Sequence, residues 1–147
     1  MKENYDCLKL ENQLCFPLYA CSKEIVRRYT PLLEELDLTY TQYIVMMVMW
    51  EEQETNVKAL GEKLYLDSGT LTPLLKKLET KKYITRTRSK DDERNLVIQI
   101  TKEGMDLRKK AKSVPEELGK CVNLEPKEAG ELYKILYKIL NHFQENQ

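Results

Sequence analysis

The sequence is poor in the residues that build metal sites and structural crosslinks. It holds one histidine, His142, near its end, and its four cysteines (Cys7, Cys15, Cys21 and Cys121) form no CxxC pair. A zinc site is therefore not expected, and no residue is assigned as a metal ligand. No apolar run reaches the roughly 18 residues that a membrane span needs, so no membrane partner is expected. Net charge is absent too, with 24 Lys+Arg against 24 Asp+Glu. No repeat, low-complexity segment or flexible linker interrupts the chain. No strand–helix alternation of the thioredoxin type is present, which argues against a thiol peroxidase and predicts a protein that is not an enzyme and carries no cofactor. The start, MKENYDCLKLENQ, has no apolar core after its first lysine. A secretory signal is not expected, and a cytoplasmic protein with its cysteines as resting thiols is.

What is present is a soluble, mainly helical pattern. With 147 residues, 33% charged and 41% hydrophobic, the chain suits one compact domain or a small domain with helical extensions. Its organising stretch is 56–101. Leu71, Leu74, Leu75 and Leu78 fall at i, i+3, i+4 and i+7, one buried face of a helix. The opposite face offers Ser68, Thr70, Thr72, Lys76 and Lys77, hydrogen-bonding groups first and cations after, which suits a helix end presented to a DNA major groove. Asp67 or Ser68 is the expected N-cap. Pro73 should cost a hydrogen bond and crowd the carbonyl of Gly69, whose freer backbone is expected to give way. Before this helix, Asn56 should cap a short one over 57–64 with Ala59, Leu60 and Leu64 inward, and Tyr65–Asp67 should make the turn.

After it, residues 83–88 and 96–100 both alternate, around a polar turn at 89–95, which reads as a two-stranded wing. From Lys76 to Arg94 the cations are Lys76, Lys77, Lys81, Lys82, Arg86, Arg88, Lys90 and Arg94, against Glu79, Asp91, Asp92 and Glu93. Eight against four leaves +4 here and −4 elsewhere. A basic patch on a balanced protein marks where a polyanion docks. The competing reading is a merely solvated charge run.

The flanks read as helices. Residues 10–36 carry an apolar stripe of Leu14, Leu18, Cys21, Ile25, Leu32 and Leu36, interrupted by Pro17 and Pro31. Thr39 and Gln42 fit a capping box ahead of the all-apolar run 43–50, whose methionines read as core. Thr101 should cap a helix running into Lys112. Pro115 and Gly119 weaken helix over 113–124, and Glu125-Pro126 should start a last helix lined by Leu132, Leu136, Ile139, Leu140 and Phe143. The terminal helices can fold back on the centre or pair with a second subunit. Cys15 and Cys21, six positions apart, should point about 120° apart on a helix and not bond to each other.

The pattern Asp92-x-Arg94, followed by alternating apolar residues and Thr101, resembles the MarR-type transcriptional regulators. The stretch LDSGTLTPLLKKLE (66–79) and the segment LENQLCFPLYA (10–20) are similar to the organic hydroperoxide resistance regulator (OhrR) branch. The resemblance implies a winged helix-turn-helix over 39–101, with helical dimerisation segments at 8–37 and 102–147. It implies a DNA-binding homodimer on a palindromic operator, acting as a repressor, with Arg94 in the minor groove oriented by Asp92. It makes Cys15 the thiol that an organic hydroperoxide oxidises, supported by Tyr29 and Tyr40 of the partner subunit, with Tyr19 as a further phenolic donor. Pro17 departs from the family pattern. Two routes stay open for completing the reaction: Cys121 as a resolving thiol, or a small-molecule thiol, with Cys7 a lesser choice. A noncovalent phenolic or drug-like ligand, with structural cysteines, is the alternative signal. A winged helix that binds protein rather than DNA is a further one.

Overall fold

The computed structural model describes residues 2–91 and 95–146. In order it contains α1 (Cys15–Glu34), α2 (Tyr40–Glu52), β1 (Glu54–Asn56), α3 (Val57–Leu64), α4 (Ser68–Thr80), β2 (Ile84–Arg88), β3 (Leu96–Ile100), α5 (Lys102–Asp106), α6 (Arg108–Ala111), α7 (Val114–Val122) and α8 (Pro126–Glu145). The fold is mainly helical with a small antiparallel sheet, as the sequence patterns indicate. The chain divides into two compact units, one ending at Val114 and the other beginning at Pro115.

In the first unit α2 is the hub. Tyr43, Val45, Met46, Val48 and Met49 are buried, and around them pack Leu60 of α3, the four leucines of α4, and Ile84 and Ile98 of the sheet. The methionine-rich run is core, apart from the exposed Met47. The capping box forms in full, with Thr39 and Gln42 each bonding the other's backbone N–H. Asn56, Asp67 and Thr101 cap α3, α4 and α5 through their side chains. Asp67, not Ser68, is thus the cap of α4. That helix runs unbroken past Pro73. A Cβ at Gly69 would meet only Asp67 Oδ1 at an ordinary 3.5 Å, so side-chain space does not demand glycine there.

Several elements differ from the sequence reading. The first long helix begins at Cys15, not residue 10, after two 3-10 turns. The Asn12 and Gln13 side-chain amides donate to the Asp6 and Cys7 carbonyls at 2.7 Å, closing the chain into turns before the helix can start. Pro17 is then the third helical residue, where its missing N–H would have had no partner. The sheet has three strands in the order β1-β3-β2, because Glu54–Asn56 pairs with β3. Three residues are too few to show a period. Ala59 is exposed, because the inward face of α3 follows Val57, Leu60, Gly61 and Leu64, and Ala59 lies off that line by about one 100° step. The helix after Thr101 breaks at Leu107 into α5 and α6.

In the second unit α8 starts as expected, with Pro126 first and a capping box between Glu125 and Glu128. Residues 114–122 are helical nonetheless. Pro115 falls in the first turn, where it costs nothing, and Gly119 faces open space, so its only penalty is the roughly 1 kcal/mol of helix propensity.

The apolar stripe expected over 10–36 is largely uncovered at its start: Leu14, just before α1, is 82% exposed, and Leu18, Cys21 and Ile25 are exposed too, while Leu32 is half-buried and Leu36, past the end of α1, is buried. On α8, Leu132, Ile139 and Phe143 are exposed and Leu136 and Leu140 half-buried. Among the described residues no helix is long and apolar enough to cross a membrane.

Candidate nucleic-acid interface and thiol site

The helix-turn-helix depends on a close approach. A Cβ on Gly61 would stand 2.6 Å from the Leu66 carbonyl oxygen and 3.2 Å from Leu71 Cδ1, so only glycine lets α3 and α4 meet at this distance. The turn is completed by Tyr65 in the left-handed region, φ 57°, and by the Leu66 N–H donating to the Gly61 carbonyl. Asp67 Oδ1 accepts the Thr70 N–H at 2.6 Å, and the Thr70 backbone and hydroxyl hold that carboxyl below its usual range.

Ser68, Thr70, Thr72, Lys76 and Lys77 are all exposed on the face away from the buried leucines. The Thr72 hydroxyl donates back to the Ser68 carbonyl at 2.8 Å, leaving its lone pairs and methyl to an incoming ligand. The helix closes in a Schellman motif, with the Tyr83 N–H on the Leu78 carbonyl and the Lys82 N–H on the Glu79 carbonyl. Lys82 takes the left-handed position, φ 68°.

The wing pairs Ile84 with Ile100, Arg86 with Ile98 and Arg88 with Leu96. Near its tip the Ser89 N–H donates to the Asn95 carbonyl at 2.8 Å. Lys90 and Arg88 are exposed. Arg86 has a second engagement: its guanidinium and backbone N–H both bond the Glu79 carboxylate, at 3.0 and 3.1 Å. That guanidinium holds the Glu79 carboxyl below its usual range. Arg86 thereby ties the wing to α4 as well as adding charge. Asp92 and Arg94, the pair singled out for the minor groove, lie outside the described residues.

Cys15 is the first residue of α1 and is exposed. Tyr19 lies one turn on, exposed, with Lys23 Nζ 5.3 Å from its ring centroid. The other two tyrosines stand elsewhere. Tyr29 and Tyr40 pack with ring centroids 4.8 Å apart, and Tyr43 joins them at 5.6 Å from Tyr29. Burial, reinforced by Tyr40 and Tyr43, pushes Tyr29 up to about 12, and burial raises Tyr40 and Tyr43 as well. All three stay protonated donors at any physiological pH.

Tyr29 lies fourteen positions beyond Cys15 on one continuous helix, about 21 Å away at a rise of about 1.5 Å per residue. The tyrosine cluster of a chain is therefore out of reach of that chain's own Cys15. Cys15 and Cys21 are about 9 Å apart by the same measure, too far for a disulfide. All four cysteines are free and exposed. Among the described residues no His, Cys, Asp or Glu group is arranged to hold a metal.

Sequence reasoning passed over Gly61, Gly104, Tyr43 and the second roles of Gln42, Glu79 and Lys81. Close approach of two elements across a fold leaves no local pattern that singles out a glycine.

A helix-turn-helix with an exposed polar recognition face, backed by a three-stranded wing, defines a winged-helix DNA-binding protein. Residues 27–111 match the family described as transcriptional regulator SarA/Rot, and the chain belongs to that family of MarR-like winged-helix regulators. It is 49% identical to the HTH-type transcriptional regulator SarZ of Staphylococcus saprophyticus, over 93% of this chain and 94% of that one. It is 44% identical to the organic hydroperoxide resistance transcriptional regulator of Bacillus subtilis, over 95% of each chain. Among solved structures, AbfR in its reduced form bound to DNA aligns with a TM-score of 0.76 at 34% identity, covering 92% of this chain and 95% of that one. AbfR, from Staphylococcus epidermidis, has also been solved overoxidised on DNA and with a disulfide formed.

Proposed function

We propose that this regulator is a homodimeric repressor that senses organic hydroperoxides through Cys15 and then releases a palindromic operator. The observation that carries the reading is the separation of the exposed Cys15 from the cluster of Tyr29 and Tyr40 by about 21 Å along α1. Phenols held protonated suit the support of an anionic sulfur, and a second subunit is what brings the two together. The uncovered apolar residues of α1 and α8 supply the surface for that subunit.

The Cys15 thiolate attacks the outer peroxide oxygen. The O–O bond breaks, an alkoxide leaves and takes a proton to become the alcohol, and the sulfur becomes a sulfenic acid. A second thiol then displaces water from the sulfenic acid to form a disulfide. Cys121 of the dimer and a small-molecule thiol are the two sources, and the disulfide-formed structure of AbfR supports a disulfide as the oxidised state. On DNA, Ser68, Thr70, Thr72, Lys76 and Lys77 address the major groove. Arg86, Arg88 and Lys90 add cations along the wing, and the family resemblance gives Arg94, oriented by Asp92, the minor-groove contact.

Band shifts on a duplex selected by the reduced protein, with and without cumene hydroperoxide, test this. Release by wild type but not by Cys15→Ser is expected. A covalent dimer on nonreducing gels that vanishes in Cys121→Ser identifies Cys121 as the resolving thiol; release without it identifies a small thiol. Release of Cys15→Ser by peroxide overturns the thiol reading and leaves a noncovalent ligand as the signal.

A further inference from the structure

The recognition helix is tied at its far end to the turn between α1 and α2, which leads directly into Tyr40. Lys81, the C-cap of α4, sends its ammonium across to the α1–α2 junction. There it donates to the Asp37 carbonyl and, at 3.0 Å, to Gln42 Oε1, with Asp37 Oδ1 at 3.6 Å. The same Gln42 oxygen accepts the Thr39 N–H at 3.1 Å, and the Gln42 N–H donates to Thr39 Oγ1. Gln42 is 3% exposed, the one buried polar side chain among the described residues. Tyr40 is the first residue of α2, held between Thr39 and Gln42 by this capping box. A second strap runs alongside, with the Tyr83 hydroxyl 3.5 Å from the Leu36 carbonyl. Asp37 itself sits in the left-handed region, φ 54°, so the junction is a defined turn and not a slack loop.

We propose that Lys81 is a positioning residue for DNA recognition, setting the pose of α4 according to the state of the Tyr40-bearing junction. The proposal rests on the redox reading for its input, since it supplies the route from the tyrosines to α4. Each link is a direct contact: Tyr29 on Tyr40, Tyr40 inside the capping box, Gln42 on Lys81, and Lys81 at the end of the recognition helix. The ammonium has three oxygens in reach at once, so a shift of the Thr39–Gln42 turn pulls on α4 or breaks the tie. Either outcome changes how Ser68, Thr70 and Thr72 are offered to the groove.

The test compares full-length wild type, Lys81→Met and Lys81→Arg. Folding is checked by far-UV circular dichroism, and Cys15 oxidation is followed by dimedone trapping of the sulfenic acid. DNA affinity is measured on a duplex selected by the reduced wild type, across a salt series. Lys81→Met is expected to oxidise at the wild-type rate and to bind more weakly when reduced. Its ratio of reduced to oxidised affinity should shrink by about 2- to 30-fold. The salt slope should stay unchanged, and Lys81→Arg should restore both affinities. A wild-type ratio in Lys81→Met overturns the proposal. So does a salt slope lowered by about one, the mark of a lost phosphate contact. If wild type ignores peroxide, the redox reading has failed by itself. Lys81 is then judged on reduced binding alone: weakened affinity at unchanged slope supports it, and unaltered affinity overturns it.

Discussion

The indole Nε1 of Trp50 donates to the Gly104 carbonyl at 2.8 Å, fixing the end of α2 to the start of α5. Gly104 is buried, and a Cβ on it would run into the Tyr83 carbonyl oxygen where the wing begins. Tyr43 rests edge-on against Trp50, with centroids 6.2 Å apart. One glycine thus lets three elements meet.

Gly104→Ala should destabilise the protein by about 3 kcal/mol, since the obstruction is backbone and overpacking costs about 1–3 kcal/mol even where side chains can yield. Trp50→Phe should cost about 1–3 kcal/mol through the unpaired Gly104 carbonyl. Urea unfolding measures both. A Gly104→Ala midpoint equal to wild type would show that the approach is looser than described.

Lys82 is expected to be a stabilising site for glycine. A left-handed non-glycine residue costs about 1–2 kcal/mol, and glycine gives back about 0.5–1 in unfolded-chain entropy. Lys82→Gly should therefore gain about 0.5–1 kcal/mol in thermal or chemical unfolding. A loss would mean that the lysine side chain makes up for its backbone.

Alkaline pH should weaken the fold through the tyrosine cluster. Below about 10 both folded and unfolded Tyr29 are protonated, and stability does not depend on it. Between 10 and about 12 the unfolded phenol ionises while the folded one does not, so unfolding releases a proton and stability falls as pH rises. Tyr29→Phe should flatten that part of the curve. A stability profile from pH 9 to 12 decides, and identical slopes would place the loss elsewhere.

At acid pH the Glu79–Arg86 tie should loosen. Its carboxyl is held below the usual value, so its contribution is full above about 4.5 and is lost as pH falls through the folded value. Glu79→Gln should reduce the slope of stability against pH below 4.5, by a modest amount because the carboxylate is 40% exposed. An unchanged slope would mean the pair adds nothing to folding.

Local signals carried most of the fold. The leucine face of α4, the Thr39–Gln42 box and the Asn56, Asp67 and Thr101 caps are each decided by residues within one or two turns, and each is where the pattern puts it. The errors share another cause. β1 exists only because β3 is beside it, and Ala59, apolar by type, stands at an outward angle on its helix. Pro115 disfavours helix in an interior position but stands here at a helix start. For the candidate site, the exposed face of α4 was legible as chemistry in a periodic frame. The second roles of Gln42, Arg86 and Lys81 were not, because their partners lie 39, 7 and 44 positions away.

The distance from Cys15 to Tyr29 along α1 has a bearing on dosage. Under the proposed reading, a lone chain owns both halves of the sensor and cannot join them, since its Tyr29 lies about 21 Å along α1 from its own Cys15. Sensing then appears only when two copies meet. Dilution below the assembly threshold would make the cysteine a slower, ordinary surface thiol, and the cellular copy number of the protein would set its sensitivity to peroxide.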